Sequence, residues 1–196
     1  MASRINADSS NGLQLVSDSS GEVQIQANGI TKAQVTSDGL INQDNVVISN
    51  RPVFAMTNSG SNQTIGDNVV TKVLLDTVIT DTNSAIDTAN SKIVIPSGHE
   101  GLYQINYSLR IDAGANTQAN ITLAYLYING VRYNRVYFAP AANYGRAFHM
   151  TRASIINLSA GDELELYGQC DRVTSGSPFI NFSVDYTELS GFKLIG

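Results

Sequence analysis

The chain has 196 residues, 42% of them hydrophobic and only 15% charged, against roughly 25% charged in an average soluble protein. Its polar surface must come from Ser, Thr, Asn and Gln, a composition that favours strands over long helices supported by charged pairs. The net charge is −5 and no Lys/Arg cluster occurs, which excludes a nucleic-acid footprint.

The longest unbroken apolar run, Leu123 to Ile128, is far below the roughly 20 residues of a membrane-spanning helix, so no membrane insertion is expected. The opening Met1-Ala2-Ser3-Arg4-Ile5-Asn6-Ala7-Asp8 has no hydrophobic core of a secretory signal. A protein made and folded in a cytoplasm is therefore expected. Cys170 is the single cysteine, which leaves neither an intrachain disulfide nor a cysteine zinc site.

The first fifty residues read as short strands between turns. Leu13-Gln14-Leu15-Val16 runs into the turn formers Ser17-Asp18-Ser19-Ser20-Gly21, and Glu22 to Gln26 alternates polar with apolar, the period of a half-buried strand. Asn28-Gly29 marks a hairpin turn because both residues tolerate positive φ. Ile30 to Val35 returns as a strand and Ser37-Asp38-Gly39 closes it. A meander this thin buries little and needs a partner. Its candidate anchoring side chains are Leu13, Leu15, Val23, Ile25, Ile30 and Val35. Val46-Val47-Ile48 is a candidate further strand, and Pro52 holds Arg51 extended, which sets the boundary between segments 1–50 and 51–196.

The second segment is a run of strands: Val69–Thr80, Lys92–Pro96, Gly101–Ile111, Ala119–Ile128, Val131–Phe138, Ala147–Leu158, Glu163–Tyr167 and Phe179–Leu189. Asn129-Gly130 and Ala160-Gly161-Asp162 supply turns between them. No stretch keeps a 3.6-residue period over ten residues, so the fold is all-β, a sandwich or barrel. Within Ala119–Ile128, Leu123, Tyr125 and Tyr127 share one face while Ala124, Leu126 and Ile128 share the other. A strand wet on one side should alternate with polar residues. Two apolar faces predict that one packs a neighbouring subunit; cover by the chain itself is the alternative. Nine Tyr and six Phe without Trp agree with an interface.

Four motifs then carry a resemblance. Pro96-Ser97-Gly98-His99-Glu100-Gly101-Leu102-Tyr103 resembles the Pro-Gly turn before Gly-x-Tyr-x-Phe of C1q/TNF-like domains. Ile128-Asn129-Gly130 is similar to their strand-turn Asn-Gly. Leu158-Ser159-Ala160-Gly161-Asp162-Glu163-Leu164-Glu165-Leu166 is similar to Leu-x-x-Gly-Asp-x-Val-x-Leu, and Leu189-Ser190-Gly191-Phe192-Lys193-Leu194 to the closing Phe-Ser-Gly-Phe-Leu-Leu. The departures are Leu189 for an aromatic, Ile105 for Phe, and no collagen run. The resemblance implies a ten-strand jelly roll, first and last strands side by side, in a tight homotrimer. Tyr103, Tyr125, Tyr127, Tyr186 and Phe192 are its candidate interface residues. The front segment resembles the low-complexity β modules of bacteriophage fibre and virion proteins.

Little in the chain points to catalysis. His99 falls in a turn and His149 on a strand, and no Gly-x-Ser-x-Gly elbow is present. Asp76, Asp81 and Asp87 lie close in sequence, but calcium wants six to eight oxygen ligands and no dense Asp-x-Asp-x-Asp loop supplies them. Neither a calcium site nor any other cofactor is expected. Cys170, with no nearby His, reads as a buried small side chain. Binding and assembly remain. The loops Asp112–Thr117, Pro140–Gly145 and Thr174–Pro178 offer Asn116, Asn143, Tyr144 and Ser175 as candidate ligand contacts. The expectation is a trimeric virion protein, attached to the phage major capsid protein or another virion protein as a decoration protein or short head fibre. The alternative is a tail-fibre tip that grips a host surface glycan.

Overall fold

The computed structural model describes residues 23–27, 30–36, 39–42, 51–114, 118–140, 145–174, 177–182 and 186–195. The chain divides into two compact units, Met1–Asn50 and Arg51–Gly196.

In the first unit, β1 (Val23–Ala27), β2 (Ile30–Thr36) and β3 (Gly39–Asn42) form one antiparallel sheet in sequence order. Ala27 pairs with Ile30, the register that a two-residue hairpin dictates. Val23 sits opposite Val35, with a bulge after Ile25. Ile25, Ile30 and Val35 are exposed, and none of this unit's described side chains is buried. Leu13, Leu15 and Val46–Ile48 lie outside the described residues.

The second unit is a two-sheet sandwich built from β4 (Val53–Thr57), β5 (Gln63–Thr64), β6 (Thr71–Lys72), β7 (Thr77–Asp81), β8 (Ile86–Asp87), β9 (Lys92–Val94), β10 (Gly101–Asp112), β11 (Ala119–Ile128), β12 (Val131–Phe138), β13 (Ala147–Leu158), β14 (Glu163–Arg172), β15 (Phe179–Ile180) and β16 (Glu188–Ile195). The first sheet runs β5-β15-β10-β16-β4-β7, with β13 along the other side of β10. The second runs β12-β11-β14-β9-β8, with β6 also paired to β14. All these ladders are antiparallel.

Period-2 patterning decides what lies inside. On β10, Tyr103, Ile105, Tyr107, Leu109 and Ile111 are buried, while the residues between them face out. They meet Ala124 and Leu126 of β11 and Leu164, Leu166 and Cys170 of β14 in one core cluster. β12 and β13 follow the same edge of the sandwich, one in each sheet, and are the outermost strands there.

The strands Ala119–Ile128, Val131–Phe138 and Ala147–Leu158 form over the expected residues. The Asn129-Gly130 turn has φ of 51° and 72°, the two positive values that a type I′ turn needs. Three expected strands are corrected. Val69–Thr80 is not one strand: β6 pairs with β14 in the second sheet and β7 with β4 in the first. Between them the chain crosses from sheet to sheet, and Val73 and Leu75 are fully buried on the way. Glu163–Tyr167 continues to Arg172, because β11 pairs with β14 along its whole length. Phe179–Leu189 breaks after Ile180, where the chain leaves the edge of β10 and rejoins it at Glu188.

β16 lies between β10 and β4, so Gly191 pairs with Phe54 and Phe192 with Val53. Arg51 Nη1 donates to the Leu194 carbonyl at 2.8 Å and Lys193 N to the Pro52 carbonyl at 3.0 Å. The strand that opens the sandwich thus runs beside the strand that closes it.

Candidate functional site

The groups that chemistry would use are committed to structure. Asp81 accepts from the backbone N–H groups of Asn83, Ala85 and Ile86, and Asp87 from Asn90 N and Nδ2. These carboxylates cap turns. Asp76 accepts from the Thr77 hydroxyl at 2.7 Å. Among the described residues no cluster of three His, Cys, Asp or Glu side chains could hold a metal ion. His99 Nε2 lies 3.3 Å from Asn83 Nδ2, and His149 Nε2 lies 3.3 Å from Ser108 Oγ. Burial pushes the Cys170 thiol up to about 12, so it carries almost no thiolate at neutral pH.

The five aromatic interface candidates fall in three places. Tyr103 is corrected: it is fully buried inside the protomer and has no surface to offer a second copy. Its ring stacks on Phe54 with centroids 6.0 Å apart, and its hydroxyl donates to the His99 carbonyl at 2.6 Å. The reason is parity, since odd-numbered residues of β10 point inward.

Tyr125 is corrected in the same way. It faces out from the second sheet yet is only 3% exposed, because its own chain covers it. Its hydroxyl donates to Gln169 Oε1, Tyr127 meets it edge-on at 6.3 Å, and the Arg132 guanidinium lies 5.7 Å from its ring centre. Tyr127 is half-buried against Tyr167, centroids 4.2 Å apart. Tyr186 and Phe192 belong to the opposite side of the sandwich. Arg110 stands 4.4 Å over the Tyr186 ring and His149 5.8 Å from it.

Two exposed apolar surfaces stand out. On the solvent face of the first sheet the register aligns Ile155, Gln104, Phe192 and Val53 in one row across four strands. Ile155 is 61% exposed, Val53 41% and Phe192 37%. Beside the row an open depression of about 400 Å³ is lined by Asn106, Ser108, Thr151, Ala153, Glu188 and Ser190. The second surface is the edge strand β12, where Val131, Tyr133, Tyr137 and Phe138 are exposed within eight residues. Sequence reading missed Ile155 and β12 as surfaces. The adjacent Ile155-Ile156 on a strand was the available signal, since one of the two must face out.

Of the anchoring candidates, Val23, Ile25, Ile30 and Val35 lie in the small sheet described above. Asn116, Asn143, Tyr144 and Ser175 lie outside the described residues.

No family model matches the chain, and no curated protein matches it. Solved structures do. Murine APRIL at pH 5.0 superposes with a TM-score of 0.55 at 11% identity, over 74% of this chain and 100% of that one. The same protein at pH 8.5 gives 0.53 at 13% identity, again over 74% and 100%. The globular domain of zebrafish complement 1qA gives 0.49 at 12% identity, over 74% and 98%. At such identities the likeness concerns the fold. The sandwich is an all-β jelly roll of the C1q/TNF-like kind.

Proposed function

We propose that the protein is a non-enzymatic structural component of a bacteriophage virion, a homotrimer that decorates the capsid. In this reading residues 1–50 attach to the major capsid protein and the Arg51–Gly196 sandwich stands outward as a knob.

Self-association rests on one observation: each protomer exposes two apolar surfaces of unlike shape. The Ile155–Phe192–Val53 row is a flat sheet face, whereas β12 is an edge strand with four exposed large apolar side chains. Exposed edge strands and large apolar side chains grouped on a sheet face are liabilities in a monomer, and here Gln104 alone separates Ile155 from the Phe192–Val53 pair. Two unlike patches that fit each other would form a heterologous contact, which closes into a ring when the rotation between copies returns to its start. Three is the number that the C1q/TNF-like resemblance implies. An obligate interface of this kind buries ~2,000 Å² or more.

Attachment to a particle is supported by the small sheet, whose described side chains are all at least partly exposed. Such a sheet gains stability from cover supplied by a partner. A ligand that binds only the assembled shell stabilises the shell by mass action.

The experiment is to count copies per purified virion by quantitative mass spectrometry, with light scattering of the isolated protein. Hundreds of copies and a trimer mass support decoration. A few tens point to a fibre or tail tip, and a monomer mass or absence from the particle overturns the reading.

A further inference from the structure

The three-stranded sheet of the first unit has two unlike faces. Opposite residues of an antiparallel pair share a face, and the register sets Val23 against Val35, Ile25 against Ala33 and Ala27 against Ile30. Val23, Ile25, Ile30, Ala33 and Val35 therefore belong to one side. Gln24, Gln26, Thr31 and Gln34 belong to the other, where Gln26 Nε2 and the Thr31 hydroxyl donate to Gln24 Oε1 at 3.0 and 3.2 Å.

Lys32 is the bulged residue, left between the pairs Ile25–Ala33 and Gln26–Thr31. In an unbroken strand Ile30 and Ala33, an odd step apart, would point to opposite sides. The bulge brings both to the apolar side. Lys32 is also the only charged residue in β1, β2 and β3. The apolar side is nevertheless bare in the protomer: Ile25 and Ile30 are each more than half exposed, and Val35 is exposed as well.

We propose that the other two copies of the homotrimer cover this face with the same face of their own sheets, so that three sheets close around a shared aliphatic core. The inference rests on the homotrimer reading above. The Gln24, Gln26, Thr31 and Gln34 side is then the side left for the capsid.

Three arguments favour further copies of this chain over a foreign partner. Interfaces with other proteins draw their selectivity from aromatic, Arg and polar anchors. Val23, Ile25, Ile30, Ala33 and Val35 supply none, whereas aliphatic side chains pack well on their own kind. Size is the second. Strands of four to seven residues, spaced about 4.8 Å apart, offer a face of roughly 300 Å². A stable pair of separate molecules buries about 800 Å² on each side, so this face suits copies that are already tethered.

Continuity is the third. Only residues 43–50 separate β3 from Arg51, and Val53 stands in the apolar row assigned above to the contact between copies. Copies joined through that row hold their first units on short tethers, at effective concentrations in the millimolar range.

The test uses disulfide trapping in the full-length protein. Cys170 is fully buried, so a cysteine placed on the sheet is the accessible thiol. Ile25→Cys, Ile30→Cys and Val35→Cys put a small apolar side chain at exposed positions, which leaves the sheet intact. After mild oxidation, non-reducing gels should show a linked pair of chains at one or more of these positions, undiminished by about tenfold dilution. Gln24→Cys and Gln26→Cys should stay unlinked. Light scattering of the same samples separates the two readings. A trimer mass with no link at any of the three apolar positions, or with equal linking from the Gln side, overturns the packing and leaves the homotrimer standing. A monomer mass overturns both. Apolar-face cysteines that stay unlinked in the free trimer and become shielded from maleimide only on the virion assign the face to the capsid protein, which also overturns the proposal.

Discussion

Gly191 of β16 faces Phe54 of β4 so closely that a Cβ at position 191 would lie 2.7 Å from Phe54 Cε2. The same atom would lie 2.7 Å from Ile105 Cδ1 and 2.8 Å from the Gln104 carbonyl oxygen. The glycine lets the closing strand press against the core at the centre of the first sheet. Although Ile105 Cδ1 is a side-chain end, the Gln104 carbonyl is backbone of the paired strand and the Phe54 ring is packed in the core. Gly191→Ala should therefore cost roughly 1–3 kcal/mol, the range for overpacking. In a domain of this size that lowers Tm by about 2–4 °C for each kcal/mol, measurable by calorimetry. A melt unchanged from the parent would show that the two strands can separate without cost.

That glycine was readable in the sequence, as part of Leu189-Ser190-Gly191-Phe192, and so were the long strands. Alternation on β10 is strict enough to give its two faces, and paired turn residues give the ends of β11 and β12. What alternation does not give is which apolar face lies inside. Tyr103 and Tyr107 are as suited to an interface as to a core until the second sheet is placed over them. Tyr125 looked like an uncovered residue because its cover comes from Gln169 and Arg132, the first on a neighbouring strand distant in sequence. The crossing between β6 and β7 was hidden for a related reason: Val73 and Leu75 extend an apolar run although both lie outside the two short strands, Val73 still donating its N–H to the Leu166 carbonyl of β14. Gly168 reads as a strand end, yet it is the residue that Leu109 approaches within 3.0 Å of a Cβ position.

The corrected surfaces change which substitutions should separate assembly from folding. Ile155 is mostly exposed in the protomer and sits in the apolar row, so Ile155→Asp places a charge where a second copy would cover it. Light scattering of the full-length variant should give a monomer mass with far-UV dichroism unchanged. Tyr125→Asp should act on folding instead. It buries a carboxylate in a covered site and removes the bond to Gln169, at a cost of about 3 kcal/mol. A trimeric Ile155→Asp would remove the row from the interface.

Two core phenols make stability sensitive to alkali. Burial pushes Tyr103 and Tyr107 up to about 12 from an ordinary value near 10. The folded state therefore holds these protons more tightly than the unfolded chain does. Their contribution is fully present below pH 10 and is lost as pH rises from 10 towards 12, where the unfolded chain has already ionised. Each phenol gives a slope of about 1.4 kcal/mol per pH unit in that window. Tyr103→Phe and Tyr107→Phe should each flatten the fall of Tm between pH 10 and 12. Identical slopes in parent and double variant would mean that the phenols ionise without unfolding.

Asn129 ties two turns together at one end of the second sheet. Its Oδ1 accepts from Glu163 N at 2.9 Å, and its Nδ2 donates to Asp162 Oδ1 at 2.8 Å. Its own N–H donates to the Glu163 carbonyl at 2.9 Å, so the β11–β12 turn is fastened to the turn between β13 and β14. Its φ of 51° adds a backbone requirement that Ala meets poorly, at about 1–2 kcal/mol. The two causes separate by substitution. Asn129→Gly accepts the backbone angle and loses only the side-chain bonds, at about 1 kcal/mol for exposed partners. Asn129→Ala loses both and should cost about 2–3 kcal/mol, while Asn129→Asp keeps the acceptor for Glu163 N but sets a carboxylate against Asp162. Urea unfolding should order the variants as parent, Gly, then Ala, with Asp recovering stability as pH falls through the carboxylate range. If Gly and Ala unfold at the same urea concentration, the positive φ carries no cost and the side-chain bonds account for the whole effect.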